Sequence, residues 1–391
     1  MPSPLMPEVD FQLDPLPDYH ERLATLRKAG PVVPARLGGE DIWFIVDFAE
    51  ADRAFRDYDN FSASLYNLRI MEQFLGHSMM GMEGLEHKQN RGIVQPAFTF
   101  GSVRSYVEGI IEPTAHELLD RLEGRDEVDI RAEFCKFFPF TVITKMLGVP
   151  VEDEVKLVTW ASEMISYMYD EDASRRAVAA FHEFIIPLME ERRRNPTDDL
   201  ISHIVHAEVD GARMTDDEVL AFLKLLYPAG GHSTSLGVAS AVYWMLKEPE
   251  AKAMVMQGEP ERWAVVQEAL RMEPPFGTFP RTMLNDLELG GVTLKKDEVV
   301  WISITGANHD PKQFPDPEGF DPHRKNLAGI MTFGRNTHMC LGRNLAMREI
   351  DVALRVLCER FPNMALAPDR EVVVSGTTFR TCEELWVRLN G

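Results

Sequence analysis

Residues 333–342 read Phe-Gly-Arg-Asn-Thr-His-Met-Cys-Leu-Gly, and an apolar stripe of Ala346, Ile350, Ala353 and Leu357 follows at once. The pattern predicts that Cys340 stands at the amino terminus of a helix. Unpaired backbone N–H groups and the positive end of the helix dipole favour a thiolate there. Gly334 and Gly342 let backbone approach without a Cβ in the way. A thiolate so placed is a soft metal ligand. A lone cysteine beside a helix is more commonly a buried structural residue, and it is the neighbouring residues that shift the balance. The other cysteines, Cys135, Cys358 and Cys382, form no C-x-x-C pair with it or with one another, which argues against a zinc site or a disulfide framework.

Other residues have spacings that could do chemistry. Glu268 and Arg271, three apart, meet on one helical face. His87 and Arg91 lie one turn apart and, with Arg281 after the Pro274-Pro275 turn, form a donor set suited to carboxylates. Singly, each of these charges reads as an ordinary surface group. The stretch Tyr227–Ser235 places small and polar residues inside a long apolar helix, a composition predicted to open the helical hydrogen-bond ladder and leave a groove.

The Cys340 segment resembles the haem-binding loop of the cytochromes P-450, Phe-Gly-x-Gly-x-His-x-Cys-x-Gly, matching at Phe333, Gly334, His338, Cys340 and Gly342. Asn336 stands at the second glycine position, and Asn is the next best residue at positive φ. The family's H-x-x-x-R and E-x-x-R motifs match His87/Arg91 and Glu268/Arg271, in family order. The resemblance implies a haem b whose iron takes the Cys340 thiolate as axial ligand, with Phe333 packed near the sulfur. It implies that His87, Arg91, Arg281 and His338 bind the propionates, and that Glu268 and Arg271 are a structural pair locking the meander 308–324. Gly319 occupies the meander's usual arginine position, so His323 or Arg324 is expected to supply the missing donor.

On the other side of the haem the family usually has Ala-Gly-x-Asp/Glu-Thr-Thr, the acid and the first threonine guiding protons to the oxygen site. Here Ala229 and Gly230 are followed by His232, Ser233 and Thr234. These three are the expected catalytic residues, with His232 and Ser233 in the proton relay; the plainer possibility is that His232 only satisfies a helical carbonyl. The substrate pocket is expected from Met79, Met80, Met82, Phe276, Thr278, Phe279, Thr378 and Phe379, apolar or small residues that suit a small-to-medium apolar organic molecule. The implied activity is a monooxygenase using dioxygen and electrons from a separate ferredoxin and ferredoxin reductase, with Arg335, Arg343 and Arg348 as docking cations. The alternatives are a peroxide-driven or non-oxygenase haem enzyme, given the missing acid, and a haem-thiolate gas sensor, for which no signalling module is apparent.

The elements that must position these residues read as mainly α with a minor β part. Helices are predicted at Ser105–Leu122, Val155–Tyr169 and Thr215–Lys247, with strands at 41–46, 287–294 and 298–302. The resemblance implies the cytochrome P-450 fold, a helical triangular prism with haem between a long central helix and the helix after the cysteine loop. No repeat or linker divides the 391 residues, so a single domain over 1–391 is expected. Val219–Leu246 is long and apolar enough for a membrane span, but Pro228 and the polar run 232–235 point to a buried helix instead. The amino terminus lacks the features of a signal peptide, giving a cytoplasmic expectation. A formal charge of −21 argues against nucleic acid or anionic membranes as partners.

Overall fold

The computed structural model describes residues 1–64, 71–150, 154–167 and 170–390. Helices dominate. The longest, Asp216–Lys247, has 32 residues, about 48 Å at 1.5 Å each. Thr215 caps it: its hydroxyl accepts from the Glu218 amide, and the Glu218 carboxylate accepts from the Thr215 amide at 2.7 Å, a reciprocal capping box. The predicted opening at Tyr227–Ser235 is absent, and the helix runs unbroken through Pro228. Packing on nearly all sides supplies what the proline removes locally.

Glycines let that central helix come close to its neighbours. A Cβ at Gly231 would lie 2.2 Å from the Phe140 ring and one at Gly230 would lie 2.3 Å from Ile143, both on the helix Phe137–Met146. One at Gly237 would touch Ile350 of the helix Arg343–Arg360 and Leu270 of the helix Glu259–Met272. The Tyr227 and Thr144 hydroxyls, 2.5 Å apart and buried, fix the axial position. Among the described residues no helix is long and apolar enough to cross a membrane.

The predicted helix from Ser105 is observed as Phe100–Tyr106 and Glu112–Asp120, joined by a wider turn at Val107–Ile111. The helix expected at Val155–Tyr169 spans Glu154–Met164, and Tyr169 lies outside the described residues. A five-stranded sheet runs in the order Val32–Leu37, Glu40–Ile45, Val299–Ser303, Thr278–Met283, Phe61–Ser62. All its pairings are antiparallel except that of Glu40–Ile45 with Val299–Ser303. The expected strand at 287–294 is a hairpin, Leu287–Leu289 with Val292–Leu294, turning at Gly290 and Gly291.

Beneath the central helix, Glu268 and Arg271 are fully buried, with a two-pronged bond of 2.7 and 2.8 Å. Arg271 also donates to the carbonyls of Asn308, Pro317 and Gly319, so the pair locks the meander as expected. Of the two residues predicted to replace the missing arginine, Arg324 does so. It donates to Glu268 at 3.1 Å and to the carbonyls of Pro315, Asp316 and Gly319, whereas His323 turns outward to Glu250. Arg324→Ala is expected to cost about 3–5 kcal/mol, the range for removing one partner of a buried ion pair. Arg324→Lys should restore little, because an ammonium cannot span a carboxylate and several carbonyls. Thermal unfolding of both variants measures this, and a wild-type-like melting temperature for Arg324→Ala would refute it.

Candidate haem-thiolate site

Cys340 precedes the helix Arg343–Arg360 by a short turn. Its amide donates to the Phe333 carbonyl at 2.8 Å, closing the loop on itself. Gly334 at φ +66° and Asn336 at φ +57° make the bends, so Asn336 serves as the sequence predicted. Cys340 keeps exposed surface, although protein surrounds its sulfur closely enough for burial to govern its ionisation. Burial raises the thiol's pKa, while the Gly342 and Arg343 amides and the Arg91 and Arg343 guanidiniums act in the opposite direction. The helix-start stabilisation read from sequence is therefore present but outweighed by desolvation.

Four donors gather on one side of this loop. The His338 and His87 rings are 4.3 Å apart. Arg91, from the helix Gly84–Val94, donates to the Met339 carbonyl at 2.8 Å. Arg281, on the strand Thr278–Met283, is buried with its Nε unpartnered, as is the Nδ1 of His87. Burial first, then His87, Arg281 and Arg91, push His338 down to about 3. Burial also lowers Arg281, to about 10. The nearest acid, Glu83, is committed to Ser62 and to the amides of Ala63 and Ser64. Arg281 also donates to the Pro280 carbonyl at 2.8 Å, so the unmet capacity is the Arg281 Nε and the His87 Nδ1; these, crowded by like charge, fit a ligand carrying carboxylates.

On the central helix, Ala229 is exposed and Ser233 half-exposed amid largely buried neighbours. They lie one turn apart on one face. The Ser233 hydroxyl donates to the Ala229 carbonyl at 2.6 Å. Thr234 is buried and, one residue on, turned about 100° from Ser233, so it leaves that surface. Gly230 serves packing against Ile143. The His232 ring makes no hydrogen bond among the described residues, so it does not cap a helical carbonyl. It meets Phe379 edge-on at 4.9 Å and borders a cavity of about 230 Å³ lined also by Arg131, Lys136, Phe140, Ser162 and Ser235. Burial, then Arg131 and Lys136, lower its pKa to about 4, so the ring is neutral at physiological pH. Sequence reasoning missed this cavity, because Arg131 and Lys136 are a hundred residues away and carry no motif.

Phe276, Phe279 and Phe379 form an aromatic wall, Phe276 lying 4.5 and 5.1 Å from the other two. Thr378 and Thr278 pair through their hydroxyls at 3.3 Å. Thr278 and Met82 are fully buried and present no surface to a ligand, contrary to expectation, whereas Met79 and Met80 stay half-buried. Arg348 is a second correction: it is buried in ion pairs with Asp351 and Glu259, and cannot dock a partner. Arg335 is tied to Asp52 and to the carbonyls of Gly329 and Ile330. Arg343 lies over the Phe333 ring without an ion pair among the described residues.

The family model for cytochrome P450 matches residues 11–258 and 263–373, and the chain belongs to that family. It is 32% identical over 393 residues to 6-deoxyerythronolide B hydroxylase of Saccharopolyspora erythraea, covering 96% of each chain. Among solved structures it is similar to the bacillaene polyketide synthase cytochrome P450 PksS of Bacillus subtilis 168, at TM-score 0.88 and 28% identity, covering 96% of this chain and 97% of that one. A Bacillus megaterium cytochrome P450 in complex with testosterone matches at TM-score 0.84 and 26% identity, covering 96% and 99%. The fold is that of the family, whose cofactor is haem held by a cysteine thiolate, and relatives named as hydroxylases and monooxygenases favour an oxygenase over the peroxide-driven or non-oxygenase alternatives.

The histidine shifts have a pH consequence. A folded-state pKa held below the ordinary 6.5 makes the unfolded chain bind the proton first. The apoprotein should therefore lose stability as pH falls from about 6.5 towards 3, since His338, His232 and His309 are all depressed. Haem carboxylates would raise His338 and reduce its share of the loss. Denaturant unfolding of apo and haem-loaded protein at pH 5 and 7.5 measures this. The apo–holo difference in pH dependence should shrink in His338→Leu, and an unaltered difference would show that His338 does not face the carboxylates.

Proposed function

We propose that this chain is a haem b monooxygenase in which the Cys340 thiolate would hold the iron, oxidising a small-to-medium apolar organic substrate with dioxygen and two electrons from separate redox proteins. One observation carries the reading. Cys340, the one exposed cysteine of the four, is faced by two helix-start amides and adjoins four carboxylate-binding side chains, of which the buried His87 and Arg281 each keep a nitrogen without a partner. When bound, the haem supplies a thiolate-ligated iron at which dioxygen is activated.

The protein's own groups divide the remaining work. His87, Arg91, Arg281 and His338 hold the carboxylates and thereby orient the ring. Phe333, covered by Arg343, keeps water from the sulfur side. Gly342 borders open space next to the sulfur, since a Cβ there would meet nothing within 4 Å. Ala229 supplies a small surface opposite.

His232 and Ser233 move protons on that opposite side. A neutral imidazole donates from one nitrogen and accepts at the other. His232 can thus pass a proton from the cavity of Arg131, Lys136, Ser162 and Ser235 without holding net charge, which the two cations would oppose. Ser233 offers a hydroxyl on the Ala229 face. The aromatic wall of Phe276, Phe279 and Phe379, with Met79, Met80 and Thr378, favours an apolar substrate, as does the testosterone in complex with one structurally similar Bacillus megaterium cytochrome P450. Ferredoxin and ferredoxin reductase are the proposed electron donors, with Arg343 the docking cation that remains after the internal commitments of Arg335 and Arg348. Four free cysteines suit the reducing cytoplasm proposed as its location.

A spin-state screen of apolar compounds on the holoprotein identifies a substrate. With ferredoxin and its reductase, product should carry one oxygen atom from labelled dioxygen. Cys340→Ser should lose the thiolate-type carbonyl difference spectrum, and Arg343→Glu should slow reduction by about tenfold. Label arriving from water, or a retained spectrum in Cys340→Ser, would refute the assignment. His232→Ala should lower coupled turnover by about 10²-fold and divert electrons to peroxide. Unchanged coupling removes His232 from the relay.

A further inference from the structure

Away from the haem site, three segments bring metal-binding side chains together. His20 lies in the first turn of the helix Tyr19–Ala29, His309 directly follows the helix Ile304–Asn308, and Glu318 belongs to the meander. A nitrogen of each histidine and a Glu318 oxygen lie within 4.8 Å of one another. The two imidazoles stack with centroids 4.1 Å apart.

Hydrogen-bond bookkeeping at these rings leaves a positive charge missing. His20 Nε2 is 3.1 Å from a Glu273 carboxylate oxygen, and His309 Nε2 is 3.0 Å from the Met272 carbonyl. Both partners only accept, so each Nε2 carries the hydrogen. In a neutral ring Nδ1 is then a bare lone pair. His20 Nδ1 is buried with no partner, and His309 Nδ1 faces a Glu318 oxygen at 3.1 Å, acceptor against acceptor. A proton on His309 would satisfy that contact and leave His20 unsatisfied.

We propose that His20, His309 and Glu318 bind a divalent transition metal, best matched by zinc. The donor set is two neutral imidazoles and one carboxylate, a ligand set that zinc accepts. The supporting hydrogen bonds are already in place: each histidine donates its other N–H to a carboxylate or a backbone carbonyl, the arrangement that fixes ligating imidazoles. Zinc at about 2.0–2.2 Å from each atom requires the three to draw together by roughly an ångström and one imidazole to tilt out of the stack, because each lone pair lies in its ring plane. Glu318, half-exposed at its side chain, has the freedom to do so. The ion would pin the amino-terminal helix to the meander between Pro317 and Gly319, whose carbonyls receive Arg271.

Calorimetric titration of metal-free holoprotein with zinc chloride tests the site. One equivalent should bind, with a Kd of about 10⁻⁶ M or tighter, and raise the melting temperature. Glu318→Gln and His20→Gln should each weaken binding by about tenfold or more. Glu318→Gln alters an outward side chain and so keeps the test open if His20→Gln fails to fold. The carbonyl difference spectrum should stay unchanged throughout, which separates this site from the haem assignment. Uptake below about a tenth of an equivalent at 100 μM zinc, or equal affinity in Glu318→Gln, would overturn the proposal.

Discussion

A carboxylate and two guanidiniums withdrawn from water hold the proximal half of this protein in place. Glu268, Arg271 and Arg324 could not remain charged and buried unless nearly every donor found an acceptor. The chain between Asn308 and Arg324 supplies those acceptors as backbone carbonyls. The constraint continues outward. Asn308, its carbonyl taken by Arg271, uses its side chain to accept from the Met331 amide and to donate to Thr332. Thr332 bonds back to Leu270, the residue before Arg271. Met331 then receives the Gly334 amide, and Phe333 that of Cys340. The position of the sulfur is thus set through a continuous chain of hydrogen bonds that starts at a buried ion pair.

The protein concentrates cations where its surface charge would not suggest them. Acidic residues outnumber basic ones by 62 to 41, yet Arg91, Arg281, His87 and His338 gather beside the cysteine loop, and Arg131 and Lys136 beside His232. Desolvation depresses most of these groups. Their unfavourable free energy in the apoprotein is a stored preference for anions, realised when a dicarboxylate enters.

Features legible in the sequence were those encoded locally. The cysteine loop, the positive φ at Asn336, the capping box at Thr215 and the Glu268–Arg271 pair depend on residues within a few positions of one another. Features set by distant packing were not legible. Pro228 and the polar run after it read as a local opening of the ladder, yet the chain is helical throughout Asp216–Lys247. Arg348 read as a surface cation because Glu259, one of its partners, lies 89 residues away. Met82 and Thr278 matched a pocket by type and proved to be core. Arg324 and His323 were equivalent donors in sequence, and only the path of the meander separates them.

Gly230 and Gly231 leave no space between the central helix and the rings and methyls of Phe140 and Ile143. The wall bearing Ala229 and Ser233 therefore rests on a backing it cannot retreat from. The position of that wall is set in part by Phe140 and Ile143, which lie behind it. Changes in a helix behind the reaction chamber would alter its depth as surely as changes within it, so the selectivity of this oxygenase is partly written in residues outside its lining.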